Sequence, residues 1–282
     1  MGLEPLPLAL VLISALMHAG WNLIAKIGRD RLVAMAVMKA PNMVVALVVL
    51  GVAGAPDAAS WPFLVGSWVV NCLYFYFLTN AYRGDLSLAY PVARGVAPLL
   101  VLVLSAFAAR EIPTVSVVVG VLTISLAIFV LAWRPERSPQ HAETIRWAAA
   151  VGLAIALYTV IDGLGARRAG SVVGYVAALN VMTGISICGA AWFRRGRGPF
   201  FDALRRDWKH GLAGGTLMLL AYMIVVYALT IAPMGQVAAL RESSVIFAAV
   251  LGVLVLREPF GGRRIAASAI LAAGIALLVF GR

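Results

Sequence analysis

The chain has 282 residues, of which 62% are hydrophobic and only 12% charged, and its mean hydropathy is +0.95. A soluble domain of this length is nearer half apolar, so the composition excludes one and requires an integral membrane protein. The formal charge of +11 does not indicate nucleic acid, because the basic residues fall in short segments between apolar runs and form no stripe interleaved with exposed aromatics.

At about 20 apolar residues per span, ten helices are predicted, at 6–27, 32–54, 61–82, 86–109, 112–133, 147–168, 171–193, 210–231, 234–256 and 262–281. The expected fold class is therefore an all-α integral membrane protein. No Lys or Arg precedes the first apolar run, so that run is expected to persist as a span and not to be cleaved as a signal peptide. The longest connections are 134–146 and 194–210. The first divides the chain into two groups of five helices, 1–143 and 144–282.

Lys and Arg near the helix ends number 16 on the side holding the odd-numbered loops and 4 on the side holding both termini. The positive-inside rule then places the odd loops in the cytoplasm and both termini outside, in a cell inner membrane. Cys72 and Cys188 lie inside apolar runs and read as packing residues, with no zinc or disulfide pattern. No cofactor motif is present.

Polar residues inside the spans are the candidates for function. Span 1 presents Ser14, His18 and Asn22 at spacing four, with Trp21 alongside, a polar stripe on an otherwise apolar helix. His18 either titrates near neutral pH or is a neutral, hydrogen-bonded imidazole. Lys39 in span 2 is close enough to the cytoplasmic side to snorkel and is left out of the site. Tyr76 and Asn80 share a face of span 3, as do Tyr158 and Asp162 on span 6. Tyr222 lies near the middle of span 8, too deep for an interfacial belt residue.

Span 4 carries Arg94, with Tyr90 one turn earlier on the same face. Pro98 gives no N–H to the carbonyl of Arg94 and Pro91 none to that of Ser87, so this helix is expected to be kinked or unwound beside its arginine. Span 9 carries Arg241 and Glu242, whose side chains diverge by about 100° on a regular helix. Arg94 either serves a binding site, pairs with Asp162 or Glu242, or snorkels. Asp162 and Glu242 are the acids placed deep within spans, and each is either a proton-coupling group or a counter-ion to the arginines. Glu111 and Glu258 are read as caps on the N-termini of spans 5 and 10. In span 10, Ala266, Ala269, Ala273 and Gly274 suggest a small-residue packing seam.

The stretch LAYPVARGVAPLLVLVLSAFAARE (88–111) recurs without a gap as GQVAALRESSVIFAAVLGVLVLRE (235–258), so that Arg94 corresponds to Arg241 and Glu111 to Glu258. AGWNLIAKIGRDR (19–31) matches IALYTVIDGLGARR (155–168) more weakly. An odd number of helices per copy sets the copies in opposite orientations, the inverted-repeat plan of secondary transporters. At 1.5 Å per residue Arg94 lies about 12 Å into its span from one face and Arg241 about 10 Å from the other. Both fall in the middle third of a core about 30 Å thick.

The chain resembles the drug/metabolite transporter superfamily, specifically its EamA-type ten-helix members. The resemblance rests on HAGWN (18–22), GDLSLAYPVARGVAP (84–98), the Arg-Glu pairs at 110 and 257, YTVIDGLGARR (158–168) and VAALRESS (237–244). It implies an all-helical transporter of small metabolites, often an exporter, built of two repeats around a cavity lined by helices 1, 3, 4, 6, 8 and 9 and working without ATP. The expected partners are a small-molecule substrate and the lipid bilayer, with no nucleic acid, as a monomer or homodimer.

Two arginines against two acids suit an anionic or zwitterionic metabolite if a proton neutralises one acid. A cation-selective drug pump of the same fold would need a carboxylate in helix 1, where this chain has His18 and Asn22. A lipid or lipid-linked headgroup translocase is the other alternative. An enzyme would need a catalytic set such as HExxH or paired aspartates, and none is present.

Overall fold

The structure is a computed structural model and describes residues 4–25, 31–81, 83, 86–132, 139–256 and 262–281. Its helices are α1 (Pro5–Ala25), α2 (Arg31–Ala53), α3 (Trp61–Ala81), α4 (Leu86–Ala108), α5 (Val115–Ala132), α6 (Pro139–Ala166), α7 (Val172–Arg195), α8 (Arg197–Ile231), α9 (Met234–Leu240), α10 (Ser244–Leu256) and α11 (Gly262–Phe280). Single 3-10 turns precede α3 (Ala58–Ser60) and join α9 to α10 (Arg241–Ser243). No strand occurs among the described residues. Among the described residues eight stretches are long and apolar enough to cross a membrane, one of them running from Met234 to Leu251 through that second turn. Two shorter apolar helices, Val115–Leu131 and Ile265–Phe280, complete ten.

Exchanging the first five helices for the last five reproduces several of the main helix contacts, although among the described residues α7–α8 has no α2–α3 counterpart of comparable size. α1 packs on α8 and α10 as α6 packs on α3 and α4; α2 meets α8 as α7 meets α3. The α2–α7, α4–α9 and α5–α11 contacts map onto themselves. Helices of the first half thus pack mainly on helices of the second half. α1, α3, α4, α6, α8 and α9–α10 form the central shell, flanked by α2–α7 on one side and α5–α11 on the other.

Close approach at the two flanks depends on glycine. A Cβ at Gly211 would lie 2.4 Å from the carbonyl oxygen of Val37, and one at Gly215 would lie 2.3 Å from that of Met38. Pro41 inside α2 offers no N–H to the Val37 carbonyl, and that carbonyl is the one lying against Gly211. On the other flank Gly274 packs on Gly120, but Ala266, Ala269 and Ala273 face outward and the buried line is Ala267, Leu271, Gly274 and Leu278. The expected small-residue seam on the last helix thus keeps only its glycine.

Three further expectations change. α4 is continuous from Leu86 to Ala108 with Pro91 and Pro98 inside it, so the unwinding expected beside Arg94 does not occur. The break lies at the equivalent place in the other copy, where no proline stands, and its cause is the bonding of Glu242 and Ser244 described below. α6 begins at Pro139 and α8 at Arg197, well before the predicted starts, because each hydrophobic span continues into a polar or amphipathic helical segment that hydropathy alone assigns to a loop.

Glu111 does not cap α5, which starts at Val115. The chain leaves α4 through Arg110 at φ 55°, and Glu111 Oε2 accepts the backbone N–H of Met234 at 2.7 Å, the first residue of α9. Its Oε1 accepts from Arg167 Nη2 at 2.6 Å. Arg167 also donates to the carbonyls of Leu229 and Ala232 at the end of α8. One carboxylate therefore ties the first half to three helix ends of the second. Glu111→Gln is expected to destabilise the protein by about 1 to 2 kcal/mol, the value of charge-assisted bonds at a partly buried site. A melting point in detergent that is equal to wild type would show the tie to be inert. Glu258 lies outside the described residues.

Candidate functional site

Polar side chains from both halves meet where α1, α4, α6, α8 and the α9–α10 junction converge. Arg94 on α4 is buried, with its Nε 2.9 Å from Glu242 Oε2. The contact is ionic and not a well-directed hydrogen bond. Its Nη2 donates to Ser244 Oγ at 2.9 Å. Glu242 lies within the 3-10 turn and Ser244 just after it, where Arg241 and Ser244 have ψ of −24° and −25°. Polar side chains that bond elsewhere compete with the helical ladder, and 3-10 turns within a helix recur at functional hinges. The tightened turn is what lets Glu242 and Ser244, two positions apart, reach one guanidinium.

Asp162 on α6 is fully buried. Tyr175 on α7 donates to its Oδ1 at 2.9 Å and Tyr222 on α8 to its Oδ2, and Ser67 on α3 also bonds it. Gly165 makes room for this arrangement, since a Cβ there would lie 2.6 Å from the Tyr175 hydroxyl.

Arg241 stands between these two groups. It lies in the fields of Tyr158, His18, Asp162 and Glu242. Glu242 is engaged by Arg94 and Asp162 by its tyrosines, so Arg241 keeps the less committed guanidinium. It is half-buried, as are His18, Trp21, Tyr158 and Tyr222. His18, Tyr158 and Tyr222 all lie in the field of Arg241 and keep part of their surface accessible. His18 and Trp21 meet edge to face at 4.9 Å, and Tyr90 lies in the field of Arg94.

Several residues singled out in the sequence go elsewhere. Ser14 donates to the Ala221 carbonyl of α8, and Asn22 to the His18 carbonyl of its own helix. The predicted stripe on the first helix thus contributes His18 and Trp21 to the cluster. Tyr76 is exposed and packs on Phe77 and Trp147, while Asn80 bonds back to the Tyr76 carbonyl. No bond from either reaches the cluster among the described residues. Lys39 does not snorkel: it is buried, donating to Asn180 Oδ1 at 2.9 Å and to Thr183 Oγ1 at 3.4 Å on α7. Its expected escape to the interface is overturned because α7 and α8 cover it and supply these acceptors. Among the described residues no three His, Cys, Asp or Glu side chains gather for a metal ion.

Ser67, Tyr175 and Ser244 escape the sequence reading. Tyr175 had a signal. Asp162 stands just before the end of α6 and Tyr175 just after the start of α7, so a tight hairpin brings them to one depth.

Residues 143–280 match the EamA-like transporter family. The chain carries an EamA-like transporter domain. Twenty-nine chains of solved structures match in fold. One of them, a crystal structure described without a function or an organism, superposes with a TM-score of 0.78 at 17% identity, covering 97% of this chain and 96% of its own. At that identity the likeness speaks for the fold. No curated protein matches in sequence. The EamA-like domain supplies α6 to α11, and with it Asp162, Arg241 and Glu242; Arg94 and His18 come from the preceding half. The second half of the chain is thus similar to EamA-like transporters, and the apolar spans among the described residues make the protein a multi-pass membrane protein.

Proposed function

We propose that this EamA-like protein is a secondary transporter that moves a small anionic or zwitterionic metabolite across the cell inner membrane, with both termini outside. Repeats 1–143 and 144–282, inserted in opposite orientations, alternate access to a site between them. The observation that carries this reading is Arg241, a cation at membrane depth on a helical break, half-buried beside His18, Trp21 and Tyr158 while both neighbouring acids hold other partners. Charge placed there is costly and is functional by default. A guanidinium presents paired donors that match a carboxylate or phosphonate.

In this mechanism the substrate anion binds Arg241, with Tyr158 and His18 as further hydrogen-bonding groups and Trp21 and Tyr90 as apolar walls. Glu242 holds Arg94 in the empty site. A second anionic oxygen arriving at Arg94 displaces Glu242, which then takes a proton or turns to Arg241. Asp162, fixed by Tyr175 and Tyr222, is the other group able to carry a proton through the cycle. Tyr76 and Asn80 have no part in it.

A melting-point screen of the detergent-purified protein against amino acids, organic acids, phosphonates and cationic dyes tests the proposal, since a ligand that binds only the folded state raises the melting point. Anionic or zwitterionic compounds are expected to stabilise wild type. Arg241→Ala is expected to weaken the best of them about 100-fold, the loss of about 3 kcal/mol of charge-assisted bonding, with partial recovery in Arg241→Lys. Stabilisation by cationic dyes alone, undiminished in Arg241→Ala, would reject the anion reading.

A further inference from the structure

The amphipathic start of α8 carries a cleft of about 420 Å³ lined by Arg197, Gly198, Phe201, Asp202 and Arg205. It lies outside the central cluster and the transport reading makes no use of it. α7 ends at Arg195, Gly196 reverses the chain at φ 87°, and α8 begins. Its first ten residues precede a distortion at Asp207, where φ is −110° and ψ 15°. Phe200 and Ala203 are buried, Phe200 against Ala36, Ile187 and Ala191, whereas Arg197, Asp202, Arg205 and Arg206 point outward. An amphipathic segment of this kind, flanked by Trp192, Phe193 and Trp208, has the composition of one lying in the headgroup layer.

Within the cleft, Arg197, Phe201 and Arg205 stand at spacing four and so line one face, with the two arginines about 12 Å apart along the axis at their Cα atoms. The Arg197 guanidinium lies over the rings of Trp192 at 5.7 Å and Phe201 at 6.0 Å, which holds its charge at the mouth of the cleft. Asp207 is taken up by Arg206 at 2.9 Å, so its charge does not oppose an anion here. Asp202 remains in the cleft, between the two arginines in sequence.

We infer that this cleft binds the headgroup of an amine-bearing phospholipid. The phosphodiester is bridged by Arg197 and Arg205, the ammonium is taken by Asp202, and the glycerol backbone lies against Phe201 and Trp192. Two guanidiniums fit a phosphodiester. A carboxylate between them would penalise a purely anionic headgroup and favours one that carries its own cation. The aromatic wall and interfacial setting favour a lipid over a soluble phosphate ester.

The test is native mass spectrometry of the full chain in detergent with phosphatidylethanolamine, phosphatidylglycerol and phosphatidylcholine, together with glycerophosphoethanolamine and inorganic phosphate. Phosphatidylethanolamine is expected to be retained best. Arg197→Ala and Arg205→Ala are each expected to weaken it about tenfold, the value of one lost charge-assisted contact, and Asp202→Asn to erase its advantage over phosphatidylcholine. These side chains are exposed, so the variants should melt as wild type without added lipid. Equal retention of the three lipids, or retention unchanged in both arginine variants, overturns the site. Retention of glycerophosphoethanolamine or phosphate as strong as that of the lipid assigns the cleft to a soluble phosphate and overturns the lipid assignment.

Discussion

Glu242→Ala is expected to destabilise the protein by about 3 to 5 kcal/mol, the cost of leaving one member of a buried ion pair without its partner. The stranded group is Arg94, itself buried, which would keep Ser244 as its hydrogen-bond acceptor. Removing both charges together, as Arg94→Met with Glu242→Leu, is expected to recover most of the loss, because two apolar side chains of similar volume need neither desolvation nor pairing. The double variant should nevertheless bind no substrate. Melting in detergent for wild type, both singles and the double yields the coupling directly. Two singles whose losses simply add would mean that the 2.9 Å contact contributes nothing to stability.

Gly215→Leu is expected to have an effect of similar size for a purely steric reason. Even a methyl group at this position would meet the Met38 carbonyl oxygen at 2.3 Å and Asn42 Cβ at 3.1 Å. The first neighbour is backbone, so no rotamer change relieves the contact and α2 must move away from α8. The same movement breaks the bond from Asn42 Nδ2 to the Gly215 carbonyl, now 2.8 Å. Overpacking of this kind costs about 1 to 3 kcal/mol or more, and here a hydrogen bond is lost as well. Gly189, where an added Cβ would meet no atom within 4 Å, supplies the control: Gly189→Leu should melt close to wild type. Equal melting of Gly215→Leu and wild type would show that α2 and α8 are free to separate.

Much of the architecture was readable from the chain. A hydrocarbon layer accepts only backbone that is hydrogen-bonded within its own segment, so an apolar run of spanning length is a helix whatever surrounds it. The gapless correspondence of 88–111 with 235–258 points to two like units, and several of the main helix contacts have counterparts under their exchange. The depth count put Arg94 and Arg241 in the same third of the hydrocarbon layer, and in the structure both lie in the field of Glu242.

Partner choice was not readable in the same way. Prolines in α4 predicted a kinked or unwound helix beside Arg94; it is not unwound, and the 3-10 break falls at the corresponding place in the second half, where polar side chains find bonds elsewhere. Glu111 and Lys39 show the same limit. A carboxylate just beyond the end of a helix can cap any N-terminus that tertiary packing brings within reach, and a lysine stays buried wherever another helix offers it acceptors.

The amino-acid sequence by itself determined that the protein is an all-helical, multi-pass membrane protein, because hydropathy and helical length are properties of a single strand of chain. Only the tertiary structure decided that Arg94 takes Glu242, that Asp162 takes two tyrosines and that Arg241 is left half-buried. Those choices depend on small differences in distance between helices far apart in sequence, and the pitch of one helix carries no record of them.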